Sequence, residues 1–321
     1  MKVKLIICFI LGLLIACMFA ICKQDPHQQA EIKILISILK DDNQPSDVRE
    51  SAADELVTFG PAAVPALIDL IEENEPLVGH RAATLLGRLG PDAREAVPIL
   101  VELLKNGDSM NCRQVGVLYA EGYQGEPKPG PSQLCVCDTA SWALFYIGPN
   151  AADAVPELTK ILREDERTRV RMNAAEALGG IGAASPDVVP ALIQALQDES
   201  GNVPYTSAMA LCDIGPEAVA AVPKLVALLN DDDSYVRYAS IFALKDIGPE
   251  ARDVVPAFIE ALKDESLGVR RLAADALGAL GPEAKDAIPA LTEALNGDDD
   301  DVRQAAQEAL DAIQKPDDGE K

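Results

Sequence analysis

The chain has 321 residues, with 52 acidic against 28 basic side chains, a formal charge of -24 and a pI near 4.4. A field of that sign opposes nucleic-acid binding, where affinity comes from neutralising phosphates, and it disfavours anionic membrane surfaces. Aromatic residues make up only 4% of the chain, and alanine and leucine dominate its apolar share, which suits closely packed helices better than a sheet.

Residues 1–22 read MKVKLIICFILGLLIACMFAIC. Lys2 and Lys4 precede an uncharged apolar run from Leu5 to Cys22, the pattern of an export signal or a membrane anchor. Leu14-Ile15-Ala16-Cys17 resembles a bacterial lipobox, which makes Cys17 a candidate for lipidation. The apolar Met18-Phe19-Ala20-Ile21 that follows fits an uncleaved anchor instead, and cleavage after Cys22 is a third reading. In each case the lysines favour an inside N-terminus and an outside remainder, so the expected location is the periplasmic face of a bacterial envelope. Any membrane contact is expected through this segment alone.

Residues 23–30 read as a polar linker, and 31–106 as a cap helix followed by two repeats. Ile32 to Leu39 matches the second half of a repeating unit and predicts an unpaired N-terminal helix. The period itself is carried by two anchors. Glycines recur at Gly60, Gly90, Gly148, Gly182, Gly215, Gly248 and Gly281, and prolines at Pro65, Pro98, Pro156, Pro190, Pro223, Pro256 and Pro289. All proline intervals but one are 33 or 34 residues; Pro98 to Pro156 is 58, which marks an insertion of 25. A fixed period of this size is the sequence mark of a stacked helical array.

Each of seven units reads as helix A, turn, helix B. In helix A of the sixth unit, Val236, Ala239, Ala243 and Ile247 form one apolar face. Gly248 predicts a left-handed C-terminal cap, Pro249 a stop, and Pro256 the first turn of helix B. Two large apolar rows run through the B helices, one from Leu67 to Leu291 and one from Ile71 to Leu295. Two residues past the first row stand Asp69, Glu102, Lys160, Gln194, Ala227, Glu260 and Glu293, a polar row without a single ring.

Residues 107–135 break the pattern with MNCRQVGVLYAEGYQGEPKPGPSQLC. Arg113, Tyr119 and Tyr123 are the candidate partner contacts there, because Tyr and Arg are enriched at binding hot spots. In an exported protein, Cys112 with Cys135 or Cys137 would staple the ends of this segment; zinc is disfavoured because the paired C-x2-C spacing is absent. Residues 136–313 carry repeats three to seven and a closing half-repeat from Asp301 to Ile313, and 314–321 form a polar tail.

The units resemble HEAT repeats, and most closely the short subgroup named after phycobilisome lyases. The most specific resemblance is an acidic loop followed by Val-Arg, as in Asp232 then Val236-Arg237 and Asp264 then Val269-Arg270. It implies an all-α, right-handed superhelical solenoid with half-repeat caps, in which Arg49, Arg171, Arg237, Arg270 and Arg303 pair between neighbours as a ladder. Gly79, Cys137 and Pro204 stand where that arginine is expected, so the ladder breaks at units two, three and five. The resemblance also implies that stacked B helices line a concave surface.

Asp231-Asp232-Asp233 and Asp298 to Asp301 do not match the spacing of a calcium loop and read as helix N-caps. The chain has two histidines, His27 and His80, and no His-Glu pair. Deoxyhypusine hydroxylase, an enzyme of similar repeats, depends on such pairs as iron ligands, and none carries over. No catalytic, cofactor-binding or metal-binding residue is assigned. The expectation is therefore an exported, non-catalytic scaffold that binds another protein; the alternative is a lyase-like or enzyme-accessory protein holding a cofactor or metal in its groove.

Overall fold

The computed structural model describes residues 26–73, 75–106, 136–248 and 254–315. These form an all-α superhelix in which A and B helices alternate. The B helices are α1 (Pro26–Lys40), α3 (Val64–Glu72), α5 (Val97–Asn106), α7 (Val155–Glu164), α9 (Val188–Ala195), α11 (Val222–Ala227), α13 (Val255–Ala261) and α15 (Ile288–Ala294). The A helices are α2 (Ser46–Thr58), α4 (Pro76–Leu89), α6 (Val136–Ile147), α8 (Thr168–Ile181), α10 (Asn202–Ile214), α12 (Ser234–Ile247), α14 (Leu267–Leu280) and α16 (Asp300–Gln314). The first B helix starts at Pro26, so part of the polar stretch before Ile32 is helical rather than linker. Among the described residues, no helix is long and apolar enough to cross a membrane.

The turn inside each unit differs from the expected cap. All seven repeat glycines have positive φ, from 56° to 88°. At five of them ψ is far from the left-handed helix: -130° at Gly90, -152° at Gly182, -139° at Gly215, -151° at Gly248 and -137° at Gly281. This mirror-image extended region is essentially restricted to glycine. Proline follows six of the seven glycines, and its ring clashes with a helical backbone at the preceding residue. The following short 3-10 turn then feeds Val-Pro or Ile-Pro into the first turn of helix B, where a missing N–H costs nothing.

The core lies between the layers. The first B-helix row, Leu67, Leu100, Leu158, Leu192, Leu225, Phe258 and Leu291, is fully buried. The second row is buried from Ile71 to Leu262 and half-buried at Leu295. A helices approach their A neighbours through small residues. A Cβ on Gly87 would lie 3.2 Å from the Ala143 Cα, one on Gly278 2.9 Å from the Ala309 Cα, and one on Gly180 would overlap the Phe145 backbone.

The stack runs on across the 25-residue insertion. Helix α6 packs directly on α4 and α5, as the Gly87–Ala143 approach shows. His80 Nδ1 and Thr139 Oγ1 are 2.6 Å apart, Arg94 pairs with Asp153 at 2.8 Å, and Lys105 pairs with Glu157 at 2.8 Å.

Candidate functional site

Two surfaces were open to a functional role: the loop edge with its arginines, and the outward face of the helices. At the loop edge, Arg237 Nη1 donates to the Asp231 and Asp232 carbonyls at 2.8 and 3.2 Å, capping the preceding B helix. Its Nε and Nη2 donate to the two carboxylate oxygens of Asp264 in the next loop at 2.7 and 2.8 Å. Arg171 repeats the arrangement with the Asp165 and Glu166 carbonyls behind it and Asp198 ahead, the carboxylate bonds both at 2.8 Å. Each is a bidentate, charge-assisted pair with both partners largely out of water.

Burial pushes the Asp198 and Asp264 carboxyls up. The facing guanidinium and a backbone amide, from Ser200 or Ser266, outweigh it and hold both below the usual carboxylate range.

The other predicted ladder members do half of this. Arg49 donates to the Asp42 and Gln44 carbonyls, Arg270 to those of Asp264 and Glu265, and Arg303 to that of Gly297 and to Asp300. Among the described residues, none bridges forward to a later loop. The rung acid stands six residues before the arginine position of the next unit, as Asp198 does for Arg171 and Asp264 for Arg237. For Arg270 that position is Gly297, and for Arg49 it is Glu73, which pairs with Lys40 instead. The ladder is thus two complete rungs and three caps.

Where the arginine is missing, a neighbour takes part of its place. Cys137 is fully buried at the start of α6. Asp165, the acid its replacement arginine would meet, is instead held by Arg167 through Nε at 2.9 Å and Nη2 at 2.8 Å. The same Nη2 reaches back 2.7 Å to the Lys105 carbonyl at the end of α5. Arg81 does the corresponding work beside Gly79, donating to the Leu39 carbonyl and to Asp42. The acidic runs serve as caps: Asp233 accepts from the Tyr235 N–H and Asp299 from the Val302 N–H. A depression of about 460 Å³ beside this edge is lined by Arg163, Arg171 and four acidic residues.

The outward face of the A layer is different in kind. Residues four apart share one side of a helix, and the repeat period aligns those sides into a grid. Its first row is Asp138, Met172, Tyr205 and Tyr238; its second is Trp142, Glu176, Met209 and Phe242; its third is Tyr146, Gly180, Asp213 and Asp246. The twelve positions lie on α6, α8, α10 and α12.

Trp142 and Tyr146 are 50% and 56% exposed, and Met172, Tyr205, Met209, Tyr238 and Phe242 are half-buried. Rings touch along the helices: Trp142 with Tyr146 and Phe145 with Tyr146 edge to face, Tyr238 with Phe242 stacked. The same rows on α14 and α16 hold Arg271, Asp275, Gln304 and Glu308. The apolar patch is therefore bounded.

Polar groups fix the grid's geometry. Glu176 accepts from Trp142 Nε1 at 3.0 Å and from Ser141 Oγ at 2.7 Å, which pins the indole against α8. Asp138 is clamped by Arg169 and Asn173. His80, half-buried against Thr139, is pushed down by burial and then by the Arg81 charge, so its ring is neutral at physiological pH. Burial, and then the neighbouring Asp246 charge, push the Asp213 carboxyl up.

A family model described as HEAT repeats matches residues 32–118, 139–211, 155–245 and 222–311. The chain belongs to the HEAT-repeat family. Among solved structures, an engineered protein is 25% identical over 88% of this chain and 78% of its own, with a TM-score of 0.48. A designed armadillo repeat protein is 21% identical over 68% and 99%, at 0.42, and human deoxyhypusine hydroxylase is 24% identical over 88% and 96%, at 0.33. No curated protein matches the chain.

Of the residues singled out in this HEAT chain, Cys17, Cys112, Arg113, Tyr119, Tyr123 and Cys135 lie outside the described residues. Cys137 is described, and its buried thiol faces the Asp138 carboxylate at 3.6 Å. The polar B-helix row from Asp69 to Glu293 is exposed throughout, as expected. The A-face grid was not anticipated. Its signal was present in the sequence, since Tyr205 precedes Tyr238, and Met209 precedes Phe242, by one repeat length.

Proposed function

We propose that this HEAT-repeat protein is an exported, non-catalytic scaffold that holds another protein on the A-helix face from α6 to α12. The observation that carries the reading is the bounded grid of rings and methionines in a chain otherwise poor in aromatics. Exposed aromatic and methionine side chains inside a polar rim are what a protein interface needs at its centre. A HEAT core requires none of them there, because α14 and α16 pack equally well with charged residues in the same rows.

The reading places the repeats in the short phycobilisome-lyase-type subgroup and on the outer side of a bacterial membrane, tethered through residues 1–22. Support for this comes from the 33-residue pitch and from the two lysines before the apolar run. Cys17 is the residue proposed to carry a lipid, and Arg113, Tyr119 and Tyr123 are proposed as additional contacts.

The test is a crosslinked pull-down from membranes using three forms: the intact protein, Trp142→Ala/Tyr146→Ala, and a deletion of residues 108–134. Loss of a specific envelope protein from the double substitution, with an unchanged melting curve, supports the A face. Retention of the same partner by that variant with loss on deletion moves the site to the insertion. A chromophore or metal co-purifying with the intact protein would favour the enzyme-accessory alternative.

A further inference from the structure

The third row of the grid ends in two carboxylates, Asp213 on α10 and Asp246 on α12, one repeat apart. Both side chains reach solvent, although neighbouring groups partly desolvate the Asp213 carboxyl. The groups around them are few. Cys212 donates its thiol to Asp246 Oδ2 at 3.1 Å, and Lys245, whose charge reaches Cys212, lies 5.7 Å from the Phe242 ring centroid. The two acids repel each other, as the upward push on Asp213 reflects. Lys245 over Phe242 also shows that a ring of this grid accepts an alkylammonium on its face. In the row next to these acids lie Met209 and Phe242, with Tyr205 and Tyr238 one turn further along, and beyond Glu176 lie the exposed Trp142 and Tyr146.

Resting on the docking reading above, we propose that the segment bound here is a basic amphipathic stretch of the partner protein. Its apolar side chains cover Met172, Tyr205, Met209 and Tyr238. One lysine or arginine enters between Asp213 and Asp246, and a second lies against Trp142 and Tyr146 beside Glu176. Four A helices at 8–10 Å spacing present a track of about 30 Å, the length of a helix of about 20 residues. The charge of -24 steers such a segment toward the protein, and the acid pair fixes where on the surface it settles.

Trp142 is the only tryptophan in the chain, so its fluorescence reports on the grid directly. The probes are three synthetic peptides of about 20 residues with the same leucine face and a lysine, glutamine or glutamate polar face. The leucine–lysine peptide should shift Trp142 emission to the blue. Asp213→Asn/Asp246→Asn should weaken that binding about fivefold. Glu260→Gln/Glu293→Gln, which removes the same charge from the B-helix row, should leave it unchanged.

Equal weakening by both pairs, or equal binding of all three peptides, overturns the cationic assignment while the docking face stands. No Trp142 response to any of the three peptides overturns the docking reading and the assignment together.

Discussion

Arg237 on α12 and Asp264 in the following loop are joined by two parallel hydrogen bonds of 2.7 and 2.8 Å, with about nine-tenths of each side chain out of water. The same guanidinium caps the loop behind it. One side chain thereby ties three successive elements of the array. Removing one partner of such a pair strands the other, at a cost of about 3–5 kcal/mol. Arg237→Ala should therefore lower the urea midpoint far more than Arg270→Ala, which loses carbonyl caps worth about 1 kcal/mol each. Equal effects would mean that the forward rung contributes nothing beyond the cap.

The rungs also set the acid limit of the fold. The Asp198 and Asp264 carboxyls are held below their unfolded values, so their stabilisation is complete above the unfolded pKa, about 3.9. It is lost as pH falls from there through the folded values. Circular dichroism at fixed urea should show stability dropping steeply below about pH 4. In Arg171→Ala/Arg237→Ala that acid limb should be shallower, because the linkage from Asp198 and Asp264 has gone while that from Asp165, held mainly by Arg167, remains.

Gly180 pits helix propensity against contact. Glycine to alanine inside a helix usually stabilises by about 0.5–1 kcal/mol. Here the added methyl would meet the Phe145 backbone, which cannot rotate aside, and overpacking of that kind costs about 1–3 kcal/mol. Gly180→Ala should lower the melting temperature and alter the environment of Trp142, three residues before Phe145. A rise in melting temperature would show that α6 and α8 separate freely.

Cys137 and Arg167 form a natural swap. Arg167→Ala should destabilise by about 1.5–3 kcal/mol, since Asp165 and the Lys105 carbonyl lose a charged donor. Cys137→Arg in the Arg167→Ala background should restore part of that loss, by supplying the guanidinium from the position used at Arg171 and Arg237. A double-mutant cycle measures the coupling, and a value near zero would mean that the two positions do not serve the same acid.

Asp213 carries the opposite sign from the rungs. Its carboxyl is pushed up by burial and by the Asp246 charge, so ionisation costs more in the folded protein than in the unfolded one. Its contribution is most favourable below the unfolded pKa and declines as pH rises through the folded value. Asp213→Asn should thus raise the melting temperature at pH 7 and leave it nearly unchanged below about pH 4. A destabilised variant at pH 7 would assign Asp213 a structural role instead.

Much of this fold can be read from periodicity, because glycine, proline and leucine recur where turn, helix start and core recur. The conformation at the glycines could not be read that way. A left-handed cap and a mirror-extended turn both demand glycine; the proline that follows favours the second at six positions, and Gly182 adopts it before Ala183 without that cue. The arginine rows likewise mark every cap, but a rung also needs an unclaimed acid in the next loop: Arg270 finds Gly297 there, and Glu73, ahead of Arg49, is taken by Lys40. The site was harder to see. Attention to the B-helix row between Asp69 and Glu293 found only polar variety, whereas Trp142, Met209 and Phe242 share a row on the other helix of each unit.

The direct packing of α6 on α4 and α5 means that the helices on either side of residues 107–135 hold their stacking through their own contacts. The entropic cost of a closed loop rises by only about 0.6 kcal/mol per doubling of its length. Evolution, or an engineer, can therefore exchange this segment for a longer or unrelated one while the helices on either side keep their register. The array works as a chassis with one splice port, which ends seven residues before its lone indole.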